Sequence, residues 1–381
     1  MTAHPDPIYL DHNATTPILP EVLEAMLPYL SSHFGNPSSS HSYGQSTREA
    51  VEHGRAQVAA LIGAAPDEIV FTSGGIEANN LTIRGVAQAA PSGRMIVTSI
   101  IEHPATEGPC AFLEAEGWNV TRLGVDGLGR VRPSDAEEVL VEGTTLLTIM
   151  HANNETGAIQ PVANLARLAH ERGAIVHTDA AQSAGKIPVR VDNLGVDLLS
   201  LVGHKLYAPK CIGALYVCSG TPIRPLLLGS LGELRPGTLN TPSIVGFGAA
   251  CEIAVRNLES ESDRLRSMRD ELWERLQAAI PGIRLNGHPT ERLPNTLNVG
   301  FPETYGNAVL AAAPGIAAST GAACHTGGER ASAVLLAMGL DHDEAIGAVR
   351  LSLGRLVTEQ QIPGLSRILE HGWREARGRP A

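Results

Sequence analysis

Lysine is the scarcest of the reactive side chains in this sequence. Among 381 residues there are only Lys186, Lys205 and Lys210, so any chemistry that needs a side-chain amine has three candidates. Positive charge is low overall, because 29 Lys and Arg face 40 Asp and Glu, for a net charge of −11. This balance argues against binding to nucleic acid, which requires concentrated positive charge.

Cysteine is sparse and unpaired in its spacing. The five cysteines are Cys110, Cys211, Cys218, Cys251 and Cys324, and no two form a C-x-x-C pair. An odd, dispersed set argues against a disulfide framework and against a metal site. A single reactive thiol is the alternative that the set leaves open.

Long apolar runs are lacking as well. No segment approaches the roughly 18 apolar residues of a membrane helix, and residues 1–7 lack the basic start and apolar stretch of a signal peptide. The 43% of hydrophobic residues still suffices for a core. Without a membrane segment or a signal peptide, we expect a cytoplasmic protein. Since the chain exceeds the roughly 250–300 residues at which single cores stop growing, we also expect two domains, or one domain and a smaller addition.

Helical and strand-like patterns alternate from about residue 50 to residue 220. The helical patterns include Glu49–Ile62, Glu77–Ala89, Pro104–Glu116 and Val162–Arg172. The short apolar runs between them are Ile69–Thr72, Met95–Ser99, Thr145–Met150, Ile175–Thr178, Leu198–Val202 and Gly213–Val217. Apolar strands separated by helices predict a mostly parallel sheet covered on both faces, so the predicted fold class is α/β.

A different pattern begins near residue 255. Cys251–Ala279 is typical of one long charged helix, and Arg292–Val299 and Val349–Leu353 are typical of strands. A helix over Ile362–Arg374 closes this part, which predicts a smaller α+β unit. Residues 311–330 are rich in Ala and Gly and predict a mobile loop.

Polar side chains follow four of the predicted strands: His103, Asn154, Asp179 and Lys205. The carboxyl ends of parallel strands meet at one edge of a sheet, where ligands bind. Taken singly, Asp179 is better explained as a helix cap and His103 as a capping or solvated residue, and Asn154 is a common type of turn residue. The sequence therefore predicts a site at this edge from the four residues together.

Lys205 is the lysine best placed for chemistry. A lysine that forms a Schiff base must be neutral when it attacks, so it needs burial or a cationic neighbour to lower its pKa. Lys205 emerges directly after an apolar strand, whereas Lys210 stands in a Pro-containing loop. Lys186 precedes Ile-Pro and is predicted to lie on the surface.

Two further motifs have both a functional and an ordinary interpretation. Ser73-Gly74-Gly75 separates a strand from a helix, where backbone N–H groups and the helix dipole can bind a phosphate; a plain strand-to-helix turn has the same sequence. Cys324 lies in a loop of small residues with His325 beside it, which suits a nucleophile that has to move; alone, it could be an idle exposed thiol. The other four cysteines are predicted to fill the core.

In combination, these motifs resemble one family along nearly the whole chain. The shared segments are Tyr9–Pro17, Asn36–Ser39, Thr72–Gly75, Glu102–Pro104, Asn153–Glu155, His177–Gln182, Gly203–Lys205, Arg235–Thr238, Arg292–Asn295, Gly321–Cys324 and Val349–Arg355. In this order and spacing they resemble the NifS/IscS-like cysteine desulfurases and the related selenocysteine lyases, which are class-V aminotransferase-like enzymes with pyridoxal 5′-phosphate (PLP). The resemblance implies fold type I of the PLP-dependent transferases. A large seven-stranded, mostly parallel sheet domain would cover residues 15–255, and residues 1–14 with 256–381 would form a small α+β domain that carries the cysteine loop.

The resemblance also implies a role for each site residue. Lys205 would hold PLP as a Schiff base and later move the substrate's α-proton, His103 would stack on the ring, and Asp179 would pair with the pyridinium nitrogen. Cys324 would take sulfur from L-cysteine, leaving L-alanine and a persulfide for an acceptor protein. Gln182 and Asn154 would contact the phenolic oxygen of PLP. The phosphate would be bound by Gly75, Ile76, His204 and, across a homodimer interface, Thr238. The substrate carboxylate would be bound by Arg350 with Asn36.

Some positions depart from the family's pattern. Ile76 and Val202 stand where family members often have hydroxyl side chains, and residues 228–235 are shorter than usual, which concerns phosphate anchoring and the dimer interface. Val202, Thr72–Gly75 and Gly321–His325 look more like the selenocysteine lyases, so L-selenocysteine is kept as an alternative substrate. The two missing hydroxyls leave a catalytically weakened sulfur-relay scaffold as a third hypothesis.

Overall fold

The computed structural model describes residues 6–90, 93–229, 232–320 and 331–377. The strands in these ranges are β1 (Ile8–Tyr9), β2 (Ile69–Thr72), β3 (Met95–Ser99), β4 (Asn119–Leu123), β5 (Thr144–Thr148), β6 (Ile175–Asp179), β7 (Leu198–Val202), β8 (Gly213–Val217), β9 (Arg284–Asn286), β10 (Thr296–Gly300), β11 (Ile316–Ala317) and β12 (Ala348–Ser352). The α-helices are α1 (Pro20–Ser31), α2 (Ser42–Ile62), α3 (Gly75–Ala89), α4 (Pro104–Ala115), α5 (Pro133–Val139), α6 (Val162–His170), α7 (Val191–Leu194), α8 (Thr241–Ala279), α9 (Gly306–Ala311), α10 (Ala333–Ala337), α11 (His342–Ile346) and α12 (Ile362–Arg377).

The main sheet has seven strands within the described ranges, in the order β2-β8-β7-β6-β5-β3-β4. The run from β4 to β7 is parallel, and β8 is antiparallel to both of its neighbours, β2 and β7. The predicted mostly parallel α/β sheet is confirmed. Its parallel strands all present their carboxyl ends at the same edge.

Both faces of the sheet are buried. Successive residues of one strand enter different apolar clusters: Val97, Leu147 and Leu199 pack with α2, α6 and α8. Ile96, Leu146 and Leu198 pack with α3 and α4. Because side chains alternate between the faces of a strand, this division explains why the strands are apolar throughout.

A second sheet, in the order β12-β10-β9, is antiparallel and belongs to another apolar cluster. The long helix α8 serves both parts. Its first half, with Phe247 and Cys251, packs in the cluster of the main sheet, and its second half, with Leu265 and Leu272, packs in the cluster of the smaller sheet. The domain boundaries at residues 14 and 255 stay a prediction.

The N-terminal segment joins the two parts at the sheet edge. The N–H of Asn13 donates to Ser352 Oγ at the end of β12 (3.0 Å). The N–H of Thr16 donates to the carbonyl oxygen of His204 just after β7 (2.9 Å). This segment therefore lies between the end of β12 and the residues that follow β7.

The sequence patterns missed four of the described strands, β1, β4, β9 and β11, and misplaced some boundaries. β4 was not predicted, because its residues Asn119 and Arg122 interrupt the apolar pattern. The predicted strand Arg292–Val299 begins only at Thr296, after Pro294. Helix α8 begins at Thr241 rather than Cys251, since Asn240 caps it by accepting from the N–H of Ser243 and Pro242 suits a first turn.

Two features are absent from the described part of the chain. Across the described residues, no helix has both the length and the apolar character needed to cross a bilayer. In the same part of the chain, no three His, Cys, Asp or Glu side chains form a group that could hold a metal ion.

Candidate active site

Four of the predicted site residues lie beyond the carboxyl ends of neighbouring parallel strands. His103 follows β3, Asn154 follows β5, Asp179 ends β6 and Lys205 follows β7. Because β3, β5, β6 and β7 are parallel neighbours in that order, their carboxyl ends bring these residues to one edge of the sheet. The sheet edge that the sequence predicted is thus occupied by the predicted residues.

Lys205 directs its amine against the N-terminal segment. Nζ donates to the carbonyl oxygen of Ala14 at 3.2 Å and to that of Asn13. Burial, the larger effect, and the Arg350 charge together lower the pKa of the Lys205 amine to about 8, against the opposing charge of Asp179. An amine with this pKa is partly neutral near neutral pH and can act as a nucleophile or carry a proton.

Asp179 is a buried carboxylate whose orientation is fixed by two donors. Asn79 Nδ2 donates to Oδ2 at 2.8 Å, and the N–H of Ala181 donates to Oδ1 at 2.9 Å. The residue is only 8% exposed. Asn79, on α3, was not identified from the sequence, although a buried Asn in a helix next to a glycine-rich turn is a recognisable signal.

His103 is both a helix cap and a site residue. It is the N-cap of α4, where its Nδ1 accepts from the N–H of Ala105 at 3.1 Å, so Nε2 carries the proton of the neutral ring. Desolvation lowers the pKa of His103, and Lys205 lowers it further, while Asp179 raises it. The ring is therefore uncharged near neutral pH.

Glu102 ties the ends of β3 and β5 together beneath His103. Its carboxyl group accepts from Ser99 Oγ at 2.6 Å and from the N–H of Met150 at 3.0 Å. Burial raises the pKa of Glu102 to about 8. Because these contacts hold the turn that leads to His103, Glu102 determines where that ring lies.

The start of α3 forms an open cradle of backbone. Gly74 has φ of 141°, a value that favours glycine, and no atom lies within 4 Å of the place where its Cβ would be. A Cβ on Gly75 would lie 2.7 Å from Cγ2 of Val202, so this close approach also requires glycine. Ile76 is 67% exposed. An anion can therefore approach the N–H groups at the start of α3.

His204 and Thr238 have different surroundings. His204 Nδ1 lies 3.2 Å from Oγ1 of Thr15, and burial together with the charges of Lys205 and Lys210 lowers the pKa of His204 to about 4. Thr238 is exposed in the loop that precedes α8. In the single chain its hydroxyl is therefore available to another molecule.

A hydrogen-bonded group joins Gln182 to Asn13 and Lys186, and only Gln182 was predicted as a site residue. Gln182 Nε2 donates to the carbonyl oxygen of Asn13 at 3.0 Å, and Lys186 Nζ donates to Gln182 Oε1 at 3.1 Å and to Asn13 Oδ1 at 3.3 Å. The prediction that Lys186 lies on the surface is wrong. Burial, with the charges of Lys205 and Arg350, lowers its pKa to about 7. Its position four residues after Gln182, across a turn that contains Gly185, was the signal that could have found it.

Arg350 is an almost fully buried cation on β12, 2% exposed. It donates to Asp11 Oδ1 at 2.6 Å and to the carbonyl oxygen of Asn154 at 3.2 Å. Asn36, predicted beside it, is not brought to it by a hydrogen bond among the described residues. Instead, Asn36 Oδ1 accepts from the N–H of Ser38 at 3.0 Å in an exposed turn. Asp11 is the partner that the sequence did not predict.

The cysteines divide into several environments. Cys324 lies outside the described residues. Cys110 and Cys251 are buried, as predicted for core residues, and burial raises the pKa of Cys110 to about 12. Cys218 is partly buried, but Cys211 is exposed, with φ of 60°, so the prediction that it fills the core is wrong.

Comparison with known proteins gives one consistent result. The family model described as aminotransferase class-V matches residues 8–365. A cysteine desulfurase of Trichormus azollae is 47% identical over 359 residues, which cover 93% of this chain and 90% of that protein. A solved structure of a NifS-like protein superposes with a TM-score of 0.89 at 36% identity, covering 96% of this chain and 98% of that one. A structure described as SspA in complex with cysteine has a TM-score of 0.81 and 37% identity, covering 91% and 98% of the two chains.

Proposed function

Because this chain belongs to the class-V aminotransferase family, we propose that it is a PLP-dependent cysteine desulfurase, which converts L-cysteine to L-alanine and transfers the sulfur to Cys324. The relative from Trichormus azollae is a cysteine desulfurase by name, and the structure of SspA is described with cysteine bound. The observation that carries the proposal is a part-buried Lys205 amine of lowered pKa at the same sheet edge as the buried carboxylate of Asp179.

The residues present fit PLP. The cradle at Gly74 and Gly75 leaves room for a phosphate, because no atom lies within 4 Å of the place where a Cβ of Gly74 would be. Asp179 is held by donors on both oxygens, which fixes its orientation and suits it to pair with a protonated ring nitrogen. Lys205 would hold the cofactor, with Gly75, Ile76, His204 and, from a partner subunit, Thr238 at its phosphate, and with His103, Asn154 and Gln182 around its ring.

When bound, PLP supplies an electron sink that stabilises negative charge at the α-carbon of an amino acid. Arg350 provides the charge and the planar donor set that bind a carboxylate, and Asp11 keeps that guanidinium in place. The Lys205 amine, partly neutral near pH 7, would carry the α-proton. The Cys324 thiolate would attack the substrate sulfur: an S–S bond forms, the Cβ–S bond breaks, and the carbon keeps the electron pair and takes up a proton to give alanine.

The persulfide left on Cys324 has to be discharged before the next turnover. A protein that accepts sulfur is the partner that this chemistry requires. L-Selenocysteine is a second candidate substrate, which Val202 beside the phosphate cradle favours because that residue resembles the selenocysteine lyases.

We also propose that the enzyme is a homodimer. Leu23, Leu27 and Leu30 lie along one side of α1 and are 45%, 52% and 59% exposed, and the following Phe34 is 72% exposed. Apolar side chains clustered in this way are typical of a surface that another subunit covers. The exposed Thr238 is consistent with a residue that completes the partner's phosphate site.

Activity measurements on three variants test the proposed function. We expect the wild-type protein to release alanine from L-cysteine, Lys205→Ala to lose both this activity and the absorption band of the lysine-bound cofactor, and Cys324→Ala to keep the band but lose sulfide release. Cys211→Ala is the matched control, because Cys211 is the exposed thiol outside the site. Undiminished sulfide release by Cys324→Ala would contradict the persulfide step.

The same assay distinguishes the two candidate substrates and also tests the scaffold hypothesis. Turnover of L-cysteine and L-selenocysteine is compared at equal concentrations. A strong preference for L-selenocysteine would replace the desulfurase assignment by the lyase assignment. A purified protein without the cofactor band, and without activity on either substrate after addition of PLP, would favour the sulfur-relay scaffold.

A further inference from the structure

Two lysine amines meet at one residue of the N-terminal segment. Lys186 Nζ donates to Oδ1 of Asn13, and Lys205 Nζ donates to the carbonyl oxygen of the same residue. Both lysines also line an enclosed cavity of about 30 Å³. The proposed mechanism uses Lys205 and leaves the second amine without a role.

The turn after β6 directs Lys186 into the site. Gly185 has φ of 73°, and a Cβ there would lie 2.2 Å from Cδ2 of Leu206, the residue after Lys205. The N–H of Lys186 donates to the carbonyl oxygen of Ser183 at 3.0 Å. This tight turn brings Lys186 back over Gln182, so its position is built into the backbone.

The neighbours of Gln182 specify the orientation of its side-chain amide. The carbonyl oxygen of Asn13 can only accept, and it faces Nε2 at 3.0 Å. The Lys186 amine donates to Oε1 at 3.1 Å; as an ammonium it can only donate, and as a neutral amine it still has N–H groups for this contact. Rotating the amide by half a turn would place acceptor against acceptor and donor against donor, so both contacts select one orientation.

This orientation turns the donor end of Gln182 toward the amine that would bear PLP. Nε2 and Lys205 Nζ share one acceptor, the carbonyl oxygen of Asn13, so they lie on the same side of that residue. A donor at this place can bond the phenolic oxygen of PLP. Turned the other way, Gln182 would present its side-chain oxygen, which would repel the phenolic oxygen.

We propose that Lys186 is a positioning residue: it holds the Gln182 amide with its N–H groups toward the phenolic oxygen of PLP and holds Asn13 behind the Lys205 amine. The inference rests on the proposed function, in which Lys205 carries PLP. The charged groups close to Lys186 are Lys205 and Arg350, and the neutral ring of His12 also lies within range of its charge.

A spectral titration of the PLP-loaded protein tests this role. The midpoint of the pH-dependent change in the absorption band reports how strongly the phenolic oxygen is bonded by donors. Lys186→Met removes the donor and keeps an unbranched stem, and we expect the midpoint to rise by about one pH unit, the size of one hydrogen bond. Lys186→Arg, which also only donates, should stay near the wild-type midpoint.

Lys210→Met is the matched control, because Lys210 is exposed outside the site, and its midpoint should equal that of the wild type. Gln182→Ala closes a double-mutant cycle. If Lys186 acts through Gln182, the double variant Lys186→Met/Gln182→Ala should shift no further than Gln182→Ala alone. Fully additive shifts, or an unchanged midpoint in Lys186→Met, would overturn the inference.

A replacement variant covers the case in which Lys186→Met does not fold, and Lys205→Ala distinguishes failure of the proposed function from failure of the role of Lys186. If Lys186→Met does not fold, Lys186→Gln replaces it, because its amide lets Gln182 turn either way, and the same rise is expected. If Lys205→Ala keeps the lysine-bound cofactor band, the proposed function fails; if that band is lost while Lys186→Met titrates like the wild type, only the role of Lys186 fails.

Discussion

At the scale of single residues, the site places cationic side chains close together in partly or fully buried positions. Two amines and one guanidinium, Lys186, Lys205 and Arg350, lie near one another, and burial with mutual repulsion lowers the pKa of both amines. Asp11 supplies the carboxylate that pairs with Arg350. The result is a reactive amine that does not need a high pH to lose its proton.

This leads to a prediction about the cofactor-free protein. Because only the neutral amine is acetylated, labelling of Lys205 by acetic anhydride should be half-maximal near pH 8, the value to which burial lowers its pKa. An ordinary lysine would reach this point near about pH 10.4. Labelling is measured peptide by peptide by mass spectrometry, with the exposed Lys210 correcting for loss of reagent. Half-maximal labelling of Lys205 near about pH 10.4 would show that its amine is fully solvated.

At the scale of secondary structure, strand ends and helix starts carry the chemistry. The phosphate cradle combines the start of α3 with the end of β7, since Gly75 approaches Cγ2 of Val202. Val202 is 6% exposed and offers this cradle only methyl groups. In the proposed site, phosphate binding would therefore depend on backbone N–H groups more than on hydroxyls.

Adding a hydroxyl at this position should strengthen cofactor binding. Val202→Thr keeps the shape of the side chain and adds one donor, so we expect the dissociation constant for PLP to fall by about three- to tenfold. Fluorescence titration of the cofactor-free protein measures it. Val202→Ala, which trims the side chain without adding a donor, is the control. Equal dissociation constants for the wild type and Val202→Thr would show that residue 202 does not reach the phosphate.

At the scale of the whole molecule, the exposed leucines of α1 and the exposed Thr238 both point to a second subunit. Burying three leucines and Phe34 contributes apolar surface of the kind found in permanent interfaces. Assembly and cofactor retention would then be linked, because each phosphate would depend on a residue from the other chain.

Placing a charge on that surface should separate the subunits. We expect the wild type to sediment with twice the 40.1 kDa chain mass and Leu27→Glu to sediment as a monomer with weaker PLP binding. Analytical ultracentrifugation and PLP titration measure both effects. Leu128→Glu is the matched control, since Leu128 is 42% exposed in a turn elsewhere. A dimer of unchanged stability in Leu27→Glu would place the interface on another surface.

The sequence by itself determined the α/β class, the family and the principal reactive groups. Apolar strands that end in Asp179 or lead to Lys205 are local patterns, and parallel strands necessarily bring their carboxyl ends together. The buried Asn79 and the N-cap role of His103 could also be found locally.

The tertiary structure alone decided which distant residues surround these groups. Asn13 and Lys186 are separated by 173 positions and yet share a hydrogen bond, as do Asp11 and Arg350 across 339 positions. Contacts of this kind arise from how the N-terminal segment passes between β12 and the end of β7. Periodicity along the chain carries no record of such a path, because it reports only which face of its own helix or strand a residue occupies.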